Sequence, residues 1–308
     1  MQISTSQYFA QASAQMDSMQ TAMMKTQEQL STGQQLTQPS DSASQSASIM
    51  NLNSELAVQS TYSSNQDAAN TSLASASSAL QSASNLINNF NTLMVQANSA
   101  TLNPSERKTI GVQLQGLTNQ LESLAATKDA NGSYIFSGSK ISVPPFGQTN
   151  GKMAYQGDQS TLTVQIGNNM TVQASLPGNV AFPSVSNTDP TTGAKTEVSF
   201  FQALQNMTDA VNNSDMSGMS QGLTQLGIMT TGVNSALALV GTTQNTITSQ
   251  GNITSSQTLA LQTALSKVQD TDYTTAVTQL SQEQLALQAA QQTFSQVSKM
   301  SLFQYLGG

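Results

Sequence analysis

The sequence predicts a mainly α protein: a long antiparallel helical hairpin, or coiled-coil rod, made from both chain ends, with a small β-rich domain inserted at mid-sequence. Three observations carry this expectation. Both ends bear apolar stripes at alternating spacings of three and four, the a/d spacing of a coiled-coil seam. Further stripes of the same period run inward from each end. Between residues 136 and 199 the period changes from helical to two.

The first stripe reads Phe9, Ala12, Met16, Met19, Met23, Thr26 and Leu30. Gly33 and Pro39 then punctuate a helix end and a turn. A second stripe follows at Leu73, Ala76, Leu80, Ala83, Ile87, Phe90, Met94 and Ala97. A new helix is expected at Asn103-Pro104-Ser105-Glu106, where Asn103 can cap, Pro104 suits the first turn and Glu106 completes a capping box. Its apolar face is Ile110, Leu114, Leu117, Leu121 and Leu124, and Asn131-Gly132 is its expected end.

Strand signals come next. Tyr134, Ile135 and Phe136 are β-prone, and Leu162, Val164 and Ile166 alternate with polar residues. Gly167-Asn168-Asn169 divides that run from residues 170–174 in the manner of a hairpin. Pro144, Pro145, Pro177, Pro183 and Pro190 exclude a long helix here. Because this region carries its own hairpin pattern between two helical stripes, it is expected to be removable without loss of the helices.

Helix returns with Phe201, Leu204, Met207 and Val211. A long stripe follows at Leu223, Leu226, Val233, Leu237, Val240 and Ile247, and resumes at Leu261, Leu265 and Val268. The last seam is Tyr273, Ala276, Leu280, Glu283, Leu287, Ala290, Phe294 and Val297. The expected division is therefore 1–40 and 270–308 for the two halves of a terminal coiled coil, 41–135 and 200–269 for rod helices, and 136–199 for the β-rich insertion.

Composition narrows the function. Apolar residues make up 37% and charged residues only 8% of 308, so the polar remainder is Ser, Thr, Gln and Asn, and the strict apolar spacing argues for amphipathic helices rather than disorder. A net charge of -7, with no basic residue between Lys25 and Arg107, argues against nucleic acid. The absence of Cys and His removes thiolate and imidazole chemistry and the commonest transition-metal ligands, so neither cofactor nor metal is expected. The opening MQISTSQYFA has no positive or apolar signal region, and nowhere do about 18 apolar residues run together, so neither a cleaved signal nor a membrane span is expected.

Individual motifs resolve to structural readings. Gly147 to Lys152 has the wrong spacing for a phosphate loop, and Met153 follows where a hydroxyl should hold magnesium, so it reads as a turn. Asp270 and Asp272 flank a seam start, where acids favour the positive end of a helix dipole. Met16, Met19, Met23 and Met24 read as core that forms on pairing or assembly.

Leu30-Ser31-Thr32-Gly33 with Pro39-Ser40-Asp41, then Gly241, Gln244-Asn245 and Asp270-Thr271-Asp272-Tyr273, and the ending Ser301 to Leu306 resemble the bacterial flagellin superfamily. Ser133 to Gly138, Tyr155-Gln156-Gly157-Asp158, Ile166-Gly167, Pro177-Gly178 and Phe182 are similar to its hook–filament junction branch. The resemblance implies a structural adaptor, not an enzyme, that assembles through terminal helices into a homo-oligomeric ring between the hook-proximal junction protein and flagellin. It further implies a cytosolic export chaperone and an extracellular, flagellar location reached without a cleaved signal. The residues expected to carry assembly are Phe9, Met16, Met19, Met23, Leu30, Leu280, Leu287, Phe294 and Val297 from the seams, with Leu302, Phe303 and Leu306 from the final segment. Rival readings are a flagellin filament subunit, a coiled-coil tip or adhesin protein of another secreted apparatus, and a carboxylate-dependent hydrolase.

Overall fold

The computed structural model describes residues 2–129, 132–149, 151–188 and 193–306, with side chains described within 6–298. Among them are seven helices: α1 (Gln2–Thr32), α2 (Ala43–Ala97), α3 (Pro104–Ala125), α4 (Gly178–Ala181), α5 (Phe200–Asn212), α6 (Met216–Gln269) and α7 (Tyr273–Leu306). Three antiparallel hairpins lie between α3 and α5: β1 (Phe146–Thr149) with β2 (Lys152–Tyr155), β3 (Thr163–Gly167) with β4 (Met170–Gln173), and β5 (Val185–Thr188) with β6 (Lys195–Val198). The chain forms two compact units, residues 1–58 with 256–308, and residues 59–255.

The larger unit holds the core. Every residue of the second stripe, Leu73 to Ala97, is buried on α2. It meets α6 antiparallel, with the Ser84 hydroxyl 3.1 Å from Asn234 Oδ1 and Gln66 Nε2 donating to Thr254 Oγ1 at 3.0 Å. Gly222 of α6 lets Met94 and Met207 pack close, since a Cβ there would stand 2.7 Å from Met207 Cγ. One stretch of α6 is long and apolar enough to cross a membrane by length and composition. Its Leu226, Met229, Val233, Ala236 and Val240 are instead buried in the core of this unit.

Local chemistry sets the helix ends. Asn103 Oδ1 accepts from the Glu106 N–H at 2.9 Å while Glu106 Oε2 accepts from the Asn103 N–H at 2.8 Å, a complete capping box for α3. Arg107, almost fully buried, donates to the carbonyls of Ala97 and Ser99 and so satisfies acceptors left open where α2 ends. α3 stops at Ala125, well short of the expected Gly132. The Thr127 hydroxyl binds the Leu124 carbonyl at 2.6 Å, and the chain turns back so that Lys128 bridges Tyr134. Gly132 does adopt a positive φ of 80°, but within this loop rather than at a helix terminus.

The β region is strand-rich as expected, and residues 147–149 pair with residues 152–154 in the β1–β2 ladder rather than forming a phosphate loop. Tyr134, Ile135 and Phe136 form no regular strand; Ile135 and Phe136 are buried and Tyr134 makes an isolated bridge. The packing argues against the expectation that this region is removable, for a physical reason. Each sheet has only two strands, too few to be stable alone. Phe136, Ile166, Val172, Phe182 and Val185 are buried in one cluster with the helices, and Phe182 stacks edge-on against Phe200 at 5.2 Å while Phe146 meets Phe201 at 4.7 Å.

Candidate assembly interface

The smaller unit pairs α1 with α7. Gly33 ends α1 at a positive φ of 71°, with its N–H donating to the Gln29 carbonyl at 2.8 Å, a left-handed helix stop that a side chain would strain. The following residues form a short clasp with the α6–α7 junction. Gln35 N donates to the Gln269 carbonyl at 2.7 Å, Thr271 N to the Gly33 carbonyl at 2.9 Å, and Gln34 bridges Asp270. Gln29 Nε2 adds a bond to the Gln35 carbonyl at 2.6 Å.

Asp272 starts α7. Its Oδ1 accepts from the N–H groups of Thr274 and Thr275, and its Oδ2 from the Thr275 hydroxyl at 2.8 Å. These bonds, the Thr275 hydroxyl foremost, hold its carboxyl below the usual aspartate value. Asp270 accepts from the Ser266 hydroxyl at the end of α6. Nearby, Lys25 Nζ meets Asp41 Oδ1 at 2.7 Å, the main reason the Asp41 carboxyl also lies low. Such an exposed pair adds little stability.

From the clasp the two helices run antiparallel, and the expected seam residues face one another. Phe9 stacks edge-on against Phe294 with ring centres 5.4 Å apart. Met16, Met19, Met23 and Leu30 on α1, and Leu280, Leu287 and Val297 on α7, are all half-buried, while Thr26 and Ala276 are buried. Tyr273 departs from the expected stripe: it is 55% exposed, its hydroxyl lies over the Gly33 turn, and the seam proper begins at Ala276. Leu302, Phe303 and Leu306 lie in α7, but their side chains fall outside the described residues.

The pair covers one stripe on each helix and leaves much of the rest open. A shallow groove of about 360 Å³, lined by Tyr8, Ala12, Met16, Ala290 and Phe294 among others, runs beside the stacked rings. Tyr8, Met24, Val277 and Leu285 are exposed, Leu285 at 66%. Met24, expected as core with Met16, Met19 and Met23, stays exposed in the pair because it lies one position off the seam, while Tyr8, Val277 and Leu285 sit off the a/d positions that the stripe names. No group of three or more metal-ligating side chains occurs among the described residues. What this arrangement can do is bury apolar helix faces against another helix-rich surface.

Comparison with known proteins agrees along the whole chain. The family model of the bacterial flagellin N-terminal helical region matches residues 3–141, and that of the C-terminal helical region matches residues 223–306. Flagellar hook-associated protein 3 of Salmonella typhimurium is 28% identical over 317 residues, and that of Escherichia coli 26% over 318, each alignment covering 99% of both chains. Among solved structures, FlgL of Xanthomonas campestris (TM-score 0.63, 18% identity) covers 70% of this chain and 99% of its own. Hook-associated protein 3 of Legionella pneumophila (TM-score 0.64, 18% identity) covers 71% and 98%. At these identities the structures speak for the fold.

Proposed function

The chain belongs to the flagellin family, in its hook-associated protein 3 group, and from that membership we propose that it is the structural subunit joining hook to filament in the bacterial flagellum. The family is structural, not enzymatic, so the chain's activity is to make contacts with hook and filament components. The observation that carries the reading is the end-to-end agreement, 99% of both chains, with hook-associated protein 3 from two bacteria.

In the finer form of the proposal, residues 1–40 and 270–308 are the assembly segments. Copies of the chain close into a ring whose neighbours are the hook-proximal junction protein on one side and flagellin on the other. A cytosolic chaperone shields the C-terminal helix before export through the flagellar channel, which needs no cleaved signal. Two features of the smaller unit support this. Its large apolar seam side chains from Phe9 to Leu30 and from Leu280 to Val297 are only half-buried in the α1–α7 pair, so each realises part of the roughly 1.5–3 kcal/mol that full burial of such a group brings. Ordering a residue costs about 1–2 kcal/mol in backbone entropy, so a pair this thin gains most when neighbours cover its open faces.

The test is electron microscopy of the source bacterium with the gene deleted. Bare hooks with flagellin released into the medium are expected; normal filaments would overturn the proposal.

A further inference from the structure

The α1–α7 seam contains one charged residue among its stripe positions, Glu283, between Leu280 and Leu287 on α7. Its Oε1 accepts from Gln279 Nε2 at 2.9 Å, one turn earlier on the same helix. Its Oε2 is sealed from solvent and has no hydrogen-bond partner among the described residues. The register set by Phe9 against Phe294 at one end, and by Gly33 beside Tyr273 at the other, places Glu283 opposite the Met19–Met23 stretch of α1. A thioether offers no donor. The only basic residue of α1, Lys25, is engaged with Asp41 at 2.7 Å, and the acids Asp17 and Glu28 on α1 are exposed. Lys299, the only basic residue of α7, lies about four turns further along that helix.

A carboxylate oxygen taken from water without a donor carries an uncompensated desolvation cost. That cost falls on closure of this helix pair, because opening the pair returns the oxygen to water. We propose that Glu283 is a built-in brake on the terminal helix pair. In a free subunit it holds α1 and α7 short of full stability. The inference rests on the reading of the terminal pair as an assembly surface. Its physical use is to keep the ends separable until neighbours are present.

Hydrogen exchange on the dilute full-length subunit tests it, comparing wild type with Glu283→Met and Glu283→Gln. Glu283→Met, an apolar side chain of similar length, is expected to raise amide protection in α1 and α7 by about tenfold or more, with residues 59–255 unchanged. Glu283→Gln, which removes the charge and keeps the shape, is expected to give a smaller rise, and decides the matter by itself if the Met variant aggregates. Unchanged or reduced protection would overturn the brake. These outcomes are separate from the micrographs of the deletion strain, which alone decide the junction reading.

Discussion

At the scale of single residues, polar side chains in this protein act mostly on backbone ends. The Asn103–Glu106 capping box, Arg107 on the last carbonyls of α2 and Asp272 at the start of α7 each satisfy groups a helix cannot satisfy itself. Gly138 shows the opposite constraint: with φ at 70° and a Cβ position 2.5 Å from the Asp158 carbonyl oxygen, only glycine fits. Asp272 gives a pH-dependent outcome. Its carboxyl is lowered in the folded state, first by the Thr275 hydroxyl, so its contribution is present above the ordinary aspartate value near ~4 and is lost as pH falls through the lower folded value. By NMR, Asp272 should titrate below a free aspartate, and Asp272→Ala should raise hydrogen exchange in the first turn of α7. A normal titration together with unchanged exchange would remove the cap.

At the scale of elements, α5 and α7 illustrate two kinds of helix. Phe200, Phe201, Leu204, Met207 and Val211 of α5 are all buried in the large core, whereas the seam residues of α7 are half-buried against α1 alone. Changing Leu287 and Phe294 together to Asp places two carboxylates in an apolar seam. The expected result is normal melting of the larger unit with loss of swimming. Retained swimming would take these residues out of the assembly surface, and a large fall in the melting of residues 59–255 would make them part of that core. The hairpins call for a different outcome. Replacing residues 140–195 with a Gly/Ser linker removes Phe146, Ile166, Val172, Phe182 and Val185 from a shared cluster. Burying that many large groups is worth on the order of 10 kcal/mol gross, so cooperative melting should be lost. Cooperative melting near the wild-type temperature would show that the helices hold without the hairpins.

At the scale of the whole molecule, burial is unevenly divided. Apart from Ala276, every buried apolar residue described belongs to residues 59–255. Limited proteolysis of the free subunit should therefore trim from both ends and leave a resistant fragment close to 59–255. Full protection of residues 6–30 in dilute solution would contradict a thin terminal pair. The same division fits a subunit whose centre folds alone and whose ends finish folding with their neighbours.

Helix periodicity was legible because an apolar stripe at three-four spacing is a local property of the chain. The residues from Leu73 to Ala97 and from Phe9 to Leu30 turned their named faces inward as the spacing required. The capping box, the Gly33 stop and the β3–β4 hairpin were legible for the same reason, since each is settled within a few residues. The tertiary structure alone decided what depends on residues far apart in sequence. It ended α3 at Ala125 because the chain folds back on it, left Tyr273 outside the seam to cover the Gly33 turn, and drew the Phe136, Phe182 and Phe200 rings into one core. It also left Glu283 Oε2 without a donor among the described residues of the seam. Periodicity assigns a residue to a face, but only packing determines what that face meets.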